Sequence, residues 1–182
     1  MQTTSQKITA REYEKLPEGP PSQLIGGEII MSPSPSAMHQ YIVLELASKL
    51  KEFVESNKSG FVYTAPLDVY LGVEEVFQPD VIYISASNKN IIKDKIKGIP
   101  DLIIEVLSPS NAYYDLVHKK NIYEETGVKE FWTVDSEGKG IEVYENVDGK
   151  FILFSKSRSK GTVESKLLPG FRVTSEELFV EK

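Results

Sequence analysis

Asp101-Leu-Ile-Ile-Glu-Val-Leu-Ser-Pro-Ser110 decides the fold. From Asp101 to Leu107 the chain is apolar almost without interruption. That pattern suits a strand covered on both faces, not one with a side in water. Its one charge in the middle, Glu105, stands out. Ser108-Pro109-Ser110 breaks the run. A helix is expected from Asn111 to about Thr126, with Gly127 as its stop. A strand from Glu130 to Asp135, containing Trp132, follows. This strand–helix–strand order points to an α/β fold.

Working outward, Gly140 to Glu145 and Phe151 to Ser155 read as a hairpin around Val147-Asp148-Gly149. A short turn of helix is expected near Ser175 to Leu178. Upstream, Gly60 to Ala65, Leu67 to Leu71 and Phe77 to Ile84 read as β-segments, followed by a lysine-rich connection from Asn88 to Gly98. Between Ala37 and about Ser56, Tyr41, Ile42, Leu46, Leu50, Phe53 and Val54 recur at helical spacing with one buried face. Gln23 to Met31 reads as a strand with a turn or bulge at Gly26-Gly27. Thr9 with Glu12 forms a capping-box pattern for a short helix to about Leu16. Residues 1–8 are expected to be a flexible tail, and 9–182 a single domain. The order of elements implies an α/β fold with a mixed central sheet flanked by helices.

The composition narrows the function classes. With 40% hydrophobic and 26% charged residues, the 182-residue chain can form an ordinary core. It has no cysteine, so disulfides, Cys-based zinc sites and thiol nucleophiles are excluded. Its two histidines, His39 and His118, cannot make a His-rich metal site alone. The polar start lacks the apolar run of a signal peptide, and no stretch approaches the roughly 20 apolar residues of a membrane span. A cytoplasmic protein without membrane contact is expected. The net charge of -6 argues against a strong, sequence-independent grip on nucleic acid. Local basic patches remain: Lys89, Lys93, Lys95 and Lys97; Lys119 and Lys120; Lys156, Arg158 and Lys160.

Two carboxylates carry the chemistry. Asp80 follows Pro79 at the start of an apolar strand, and Glu105 lies inside the most apolar strand of the chain. A lone buried carboxylate is costly unless it is paired or binds a metal. Two brought together by neighbouring strands repel each other, and a divalent cation resolves the conflict. Mg²⁺ takes one or two carboxylates plus water and phosphate oxygens, which is the kit for phosphodiester hydrolysis. Plainer readings exist for each residue. An Asp after Pro is ordinarily a turn residue, and a Glu in a strand is ordinarily an edge charge or ion-pair partner.

Pro79-Asp80 followed by Glu105-Val106-Leu107-Ser108 resembles the PD-(D/E)xK nuclease superfamily. More closely, the chain resembles the bacterial Uma family of restriction endonucleases. The matching pieces run in order from about Thr9 to Leu178: Gly27-Glu28-Ile29 with Ser32-Pro33; His39-Gln40; Pro79-Asp80-Val81; Pro100 to Ser110; Asp115 with Lys119 and Tyr123; and Gly127 to Asp135. The resemblance implies a restriction-endonuclease-like core that cleaves DNA with Mg²⁺ or Mn²⁺ held at Asp80 and Glu105. It also implies a homodimer. The superfamily lysine would fall at Leu107, which cannot serve. The family pattern moves that lysine to the following helix, at Lys119, with Lys120 as the substitute. The plain alternative is an ion pair between Asp115 and Lys119 at i,i+4.

The resemblance makes Glu28 a further metal ligand or an acid that supports the ligands from behind, and His39 an auxiliary group that contacts phosphate or orients Glu28. An exposed strand acid and a capping or surface histidine are their plain counterparts. His118 reads as surface, Asp101 as a strand-entry acid, and Trp132 and Tyr123 as core. The competing function is a catalytically inactive nuclease fold that binds nucleic acid or protein.

Overall fold

The computed structural model describes residues 7–17, 19–32, 34–107 and 112–179. The chain opens with α1 (Ala10–Tyr13), whose Thr9–Glu12 capping box forms as the sequence predicts. The hairpin β1 (Ser22–Ile25) and β2 (Glu28–Met31) turns at Gly26 and Gly27, both at positive φ. Helix α2 (Ala37–Ser56) is capped by the Ser36 hydroxyl, which accepts from the His39 amide. Its residues Ile42, Leu46, Leu50 and Val54 recur every four positions and are fully or almost fully buried. Each contributes about 1.5–3 kcal/mol of hydrophobic stabilisation.

Then follow β3 (Gly60–Thr64), β4 (Val69–Tyr70), β5 (Val76–Phe77), β6 (Val81–Ser85), a 3₁₀ turn at Ala86–Ile91 and β7 (Ile96–Lys97). The core element is β8 (Leu102–Leu107). Helix α3 (Ala112–Thr126) crosses to β9 (Glu130–Asp135). A long hairpin, β10 (Gly140–Val147) and β11 (Lys150–Arg158), turns at Asp148-Gly149. Both turn residues have positive φ, as a tight hairpin turn requires. The chain ends with β12 (Thr162–Glu164), β13 (Arg172–Thr174) and α4 (Ser175–Leu178).

The main sheet has the order β11-β10-β9-β8-β6-β3. Within it, among the described residues, only β8 and β9 pair in parallel, so the sheet is mixed and α3 is the crossover. Strand β8 is interior, and its first five residues are buried, as its apolar run requires. Alternate residues feed two cores. Ile104, Trp132 and Val143 face α2 and the C-terminal unit. Ile103, Phe131 and Ile82 face α3 and the smaller sheet β2-β1-β5-β4-β7. Among the described residues, no helix is long and apolar enough to cross a membrane.

Two strand expectations need correction. Phe77 to Ile84 is not one strand. It divides between the small and main sheets at Gln78-Pro79-Asp80. Pro79 has no N–H to give a ladder, so the chain changes sheet there. Leu67 to Leu71 shrinks to Val69–Tyr70, because its ladder partners β5 and β7 are themselves two residues long.

Candidate active site

The break after β5 places Asp80 at the entrance of β6. Val81 pairs with Ile104 in the antiparallel β6–β8 ladder. One more step of that register sets Asp80 opposite Glu105. The two acids that the sequence singles out, 25 positions apart, therefore meet across neighbouring strands.

Each is held by two donors. The Val106 amide donates to Asp80 Oδ2 at 2.7 Å, and His39 Nε2 lies 3.1 Å from Asp80 Oδ1. Around Glu105, the Lys119 ammonium donates to Oε1 at 3.2 Å and the Tyr123 hydroxyl donates to the same oxygen at 2.6 Å. The side chains of Glu105 and Lys119 are only 9% and 10% exposed, so this ion pair is shielded from water. Lys119 also lies 5.7 Å from the centre of the Phe77 ring. The Tyr123 ring meets Phe77 edge-on at 5.7 Å. Helix α3 thus delivers the ammonium to the strand acid from the position four residues before Tyr123, on the same helical face.

The electrostatics follow from burial. Desolvation pushes the Glu105 carboxyl up; Lys119 works against it, and the Asp80 charge adds to it. Burial also drives the Tyr123 hydroxyl well above its ordinary value, with the Glu105 charge reinforcing it. His39 is pushed up chiefly by its hydrogen bond to Asp80. Its Nδ1 is buried without a hydrogen-bond partner.

The other expected residues are more dispersed. Glu28 is exposed on β2, the outer strand of the smaller sheet. Among the described residues, no hydrogen bond joins it to Asp80 or Glu105. His39 contacts Asp80, not Glu28, and it is buried. Lys120 points its ammonium at the Tyr144 ring, 3.3 Å from its centre, and burial pushes it down. The Asp115 side chain, Pro33 and the Ser108-Pro109-Ser110 loop lie outside the described residues. His118 pairs with Glu75 at 3.1 Å. Asp101 sits at the strand entry, as expected, and binds Lys129 at 2.6 Å.

Tyr123 is the residue whose role sequence reasoning underestimates. It is a core ring, as expected, but its hydroxyl also secures Glu105. The available signal was its i+4 spacing from Lys119.

The donor set fits a hard divalent cation. Two carboxylates face each other, and the charge of one raises the proton affinity of the other. Among the described residues, no group of three or more His, Asp or Glu side chains could enclose an ion. Two protein carboxylates, with water and phosphate oxygens completing the shell, match the habits of Mg²⁺ and not those of a closed structural site.

The fold recurs among solved structures. One is a "putative nuclease belonging to DUF820" from Anabaena variabilis ATCC 29413. It superposes with a TM-score of 0.81 at 23% identity, covering 94% of this chain and 97% of that one. No curated protein matches the sequence. The family model described as "Putative restriction endonuclease" matches residues 10–176, almost the whole chain. The match takes in Asp80, Glu105 and Lys119, and the chain belongs to the Uma2 family.

Proposed function

We propose that this protein is a divalent-metal-dependent endonuclease that hydrolyses phosphodiester bonds in DNA. The observation that carries the reading is the convergence of Asp80, Glu105 and Lys119, from three separate elements, on one shielded point. Asp80 and Glu105 would hold Mg²⁺ or Mn²⁺. Such an ion supplies Lewis acidity at the phosphate and a lowered pKa for attacking water. Lys119 keeps a positive charge where negative charge develops on the phosphate, and its low-exposure setting strengthens that interaction. Tyr123 and Lys119 fix one Glu105 oxygen, while His39 and the Val106 amide fix Asp80. These contacts orient the acids before substrate arrives. Cutting both strands of a duplex calls for two such sites, which a two-fold homodimer provides.

Lys119 also meets the objection raised by Leu107. The superfamily lysine is absent from the strand, but an ammonium still reaches Glu105 from α3. This favours an active enzyme over an inactive binding fold.

The test is calorimetric titration of Mn²⁺ into the wild type and Asp80→Asn, followed by a cleavage assay on mixed DNA substrates. Binding and cleavage should both be lost in the variant. Cleavage that persists at the wild-type rate in Asp80→Asn refutes the assignment.

A further inference from the structure

We propose that the rim of the main sheet at Lys156, Arg158 and Lys160 is where duplex DNA lays its phosphate backbone as it reaches the Asp80–Glu105 site. This inference rests on the nuclease reading above.

The sheet register carries the argument. Glu105 pairs with Thr133, Thr133 with Glu142, and Glu142 with Lys156. The next row runs Leu107, Asp135, Gly140, Arg158. Side chains directly opposite one another across a ladder stand on the same face. Lys156 and Arg158 therefore stand on the face that bears Glu105. Ser157, between them, meets Ser175 of α4 on the opposite face. Three inter-strand steps of about 4.8 Å put the two cations about 14 Å from Glu105 along the rows. That span covers about four base steps of a duplex at about 3.4 Å each.

These cations are also uncommitted. Lys156, Arg158 and Lys160 are exposed. Among the described residues, neither Lys156 nor Arg158 has a carboxylate partner, and Lys160 lies in the field of Glu176. Four other lysines are engaged within the protein. Lys95 pairs with Asp68, Lys97 with Glu14, Lys129 with Asp101 and Lys150 with Glu124. Of the three basic patches that the sequence offers, the one at Lys89, Lys93, Lys95 and Lys97 is thereby weakened. A second, Lys119 and Lys120, is committed to Glu105 and Tyr144.

The acids interleaved with the rim are largely occupied. Glu142 accepts from the Tyr144 hydroxyl. Asp135 accepts from the amides of Glu137 and Gly138. Glu137, exposed beside this row, is the acid a duplex would feel. A chain of net charge -6 needs a local positive track to receive a polyanion.

The test is fluorescence anisotropy of a short labelled DNA duplex in EDTA, so that no cleavage occurs, across a series of NaCl concentrations. The full chain is compared with Lys156→Glu/Arg158→Glu and with Glu137→Lys. The double reversal should weaken binding at least tenfold and make the slope of log affinity against log salt shallower by about two. Glu137→Lys should tighten binding and steepen that slope. Mn²⁺ affinity, measured by calorimetry, should be unchanged in both.

Duplex binding that is unaffected by the reversal, or no duplex binding by the wild type, overturns the rim assignment. The nuclease reading is judged separately, by Mn²⁺ binding and cleavage. A wild type that binds Mn²⁺ and cuts DNA, with an indifferent rim, would sink only this inference.

Discussion

Tyr123→Phe removes one oxygen atom from the centre of the site and almost nothing else. The ring is fully buried and packs against Phe77 at 5.7 Å and Phe131 at 5.4 Å, contacts that phenylalanine keeps. What disappears is the 2.6 Å hydrogen bond to Glu105 Oε1. A hydrogen bond to a charged group contributes about 1.5–3 kcal/mol. Glu105 Oε1 keeps the Lys119 contact, so the lower half of that range applies, about 2 kcal/mol. For a chain of this size that corresponds to a fall of about 4–8 °C in Tm. A structural role alone would end there. A positioning role adds a second effect: Mn²⁺ affinity should fall about 10- to 100-fold, as when the hydrogen-bond partner of a metal ligand is lost. Differential scanning calorimetry and isothermal titration read the two effects separately. A lowered Tm with wild-type Mn²⁺ affinity would show that Tyr123 only packs. An unchanged Tm would show that the hydroxyl is not the donor the geometry makes it.

Four further substitutions separate the site from its scaffold. Lys119→Gln should cut the cleavage rate by about 10²–10³-fold, the scale of losing a charge-stabilising donor. Lys120→Gln, whose ammonium sits on Tyr144, should leave the rate within a few-fold; kcat measured for both decides which lysine acts. Glu130 is buried and accepts from Trp132 Nε1, the Ser165 hydroxyl and the amides of Lys166 and Leu167. Glu130→Gln turns an amide N–H₂ toward those donors and should cost about 3 kcal/mol or more in denaturant melts, with Mn²⁺ binding retained. Burial works to raise the Asp101 carboxyl, but its bonds to Lys129, Ser85 and Asn88 outweigh burial and hold it below its reference value of 3.8. Its contribution to stability is therefore present above about pH 3.8 and lost as pH falls through the lower folded value. Asp101→Asn should flatten the Tm-against-pH curve in that acid range; an identical curve would remove Asp101 from the account.

The sequence makes the scaffold legible where one physical signal dominates. The two-sided apolar run at Asp101–Leu107 gives β8, and the helical spacing of Ile42, Leu46, Leu50 and Val54 gives α2. It fails where a boundary depends on partners. Nothing in Val69-Tyr70 says that its neighbours are only two residues long. At Pro79 the apolar pattern continues on both sides, so the change of sheet is visible only in three dimensions. The site shows the same division. Asp80 and Glu105 are conspicuous because charge is costly in apolar strands. Lys119 is legible through its family pattern, because a lysine on a helix looks the same whether it meets solvent or a strand acid. Tyr123 and His39 are harder still. Each contributes a polar tip on a side chain that buries like a core residue, and only the partner at that tip reveals the role.

The sheet change at Pro79 also explains why the site lies where it does. Had Phe77 to Ile84 continued as one strand, Asp80 would stand in mid-ladder, with neighbouring side chains crowding both its oxygens. The break frees the chain just before β6. Asp80 can then reach the Val106 amide of the next strand with one oxygen and His39 of α2 with the other, while remaining opposite Glu105. The acid pair thus joins a residue at a sheet change, Asp80, whose carbonyl accepts from the Ala65 amide at 3.2 Å, to one inside a regular ladder, Glu105 opposite Thr133. The cost of gathering like charges there is offset by Lys119, Tyr123, His39 and one backbone amide. Those donors leave the two acids rigid and mutually repelling, which is the state that a divalent cation would relieve.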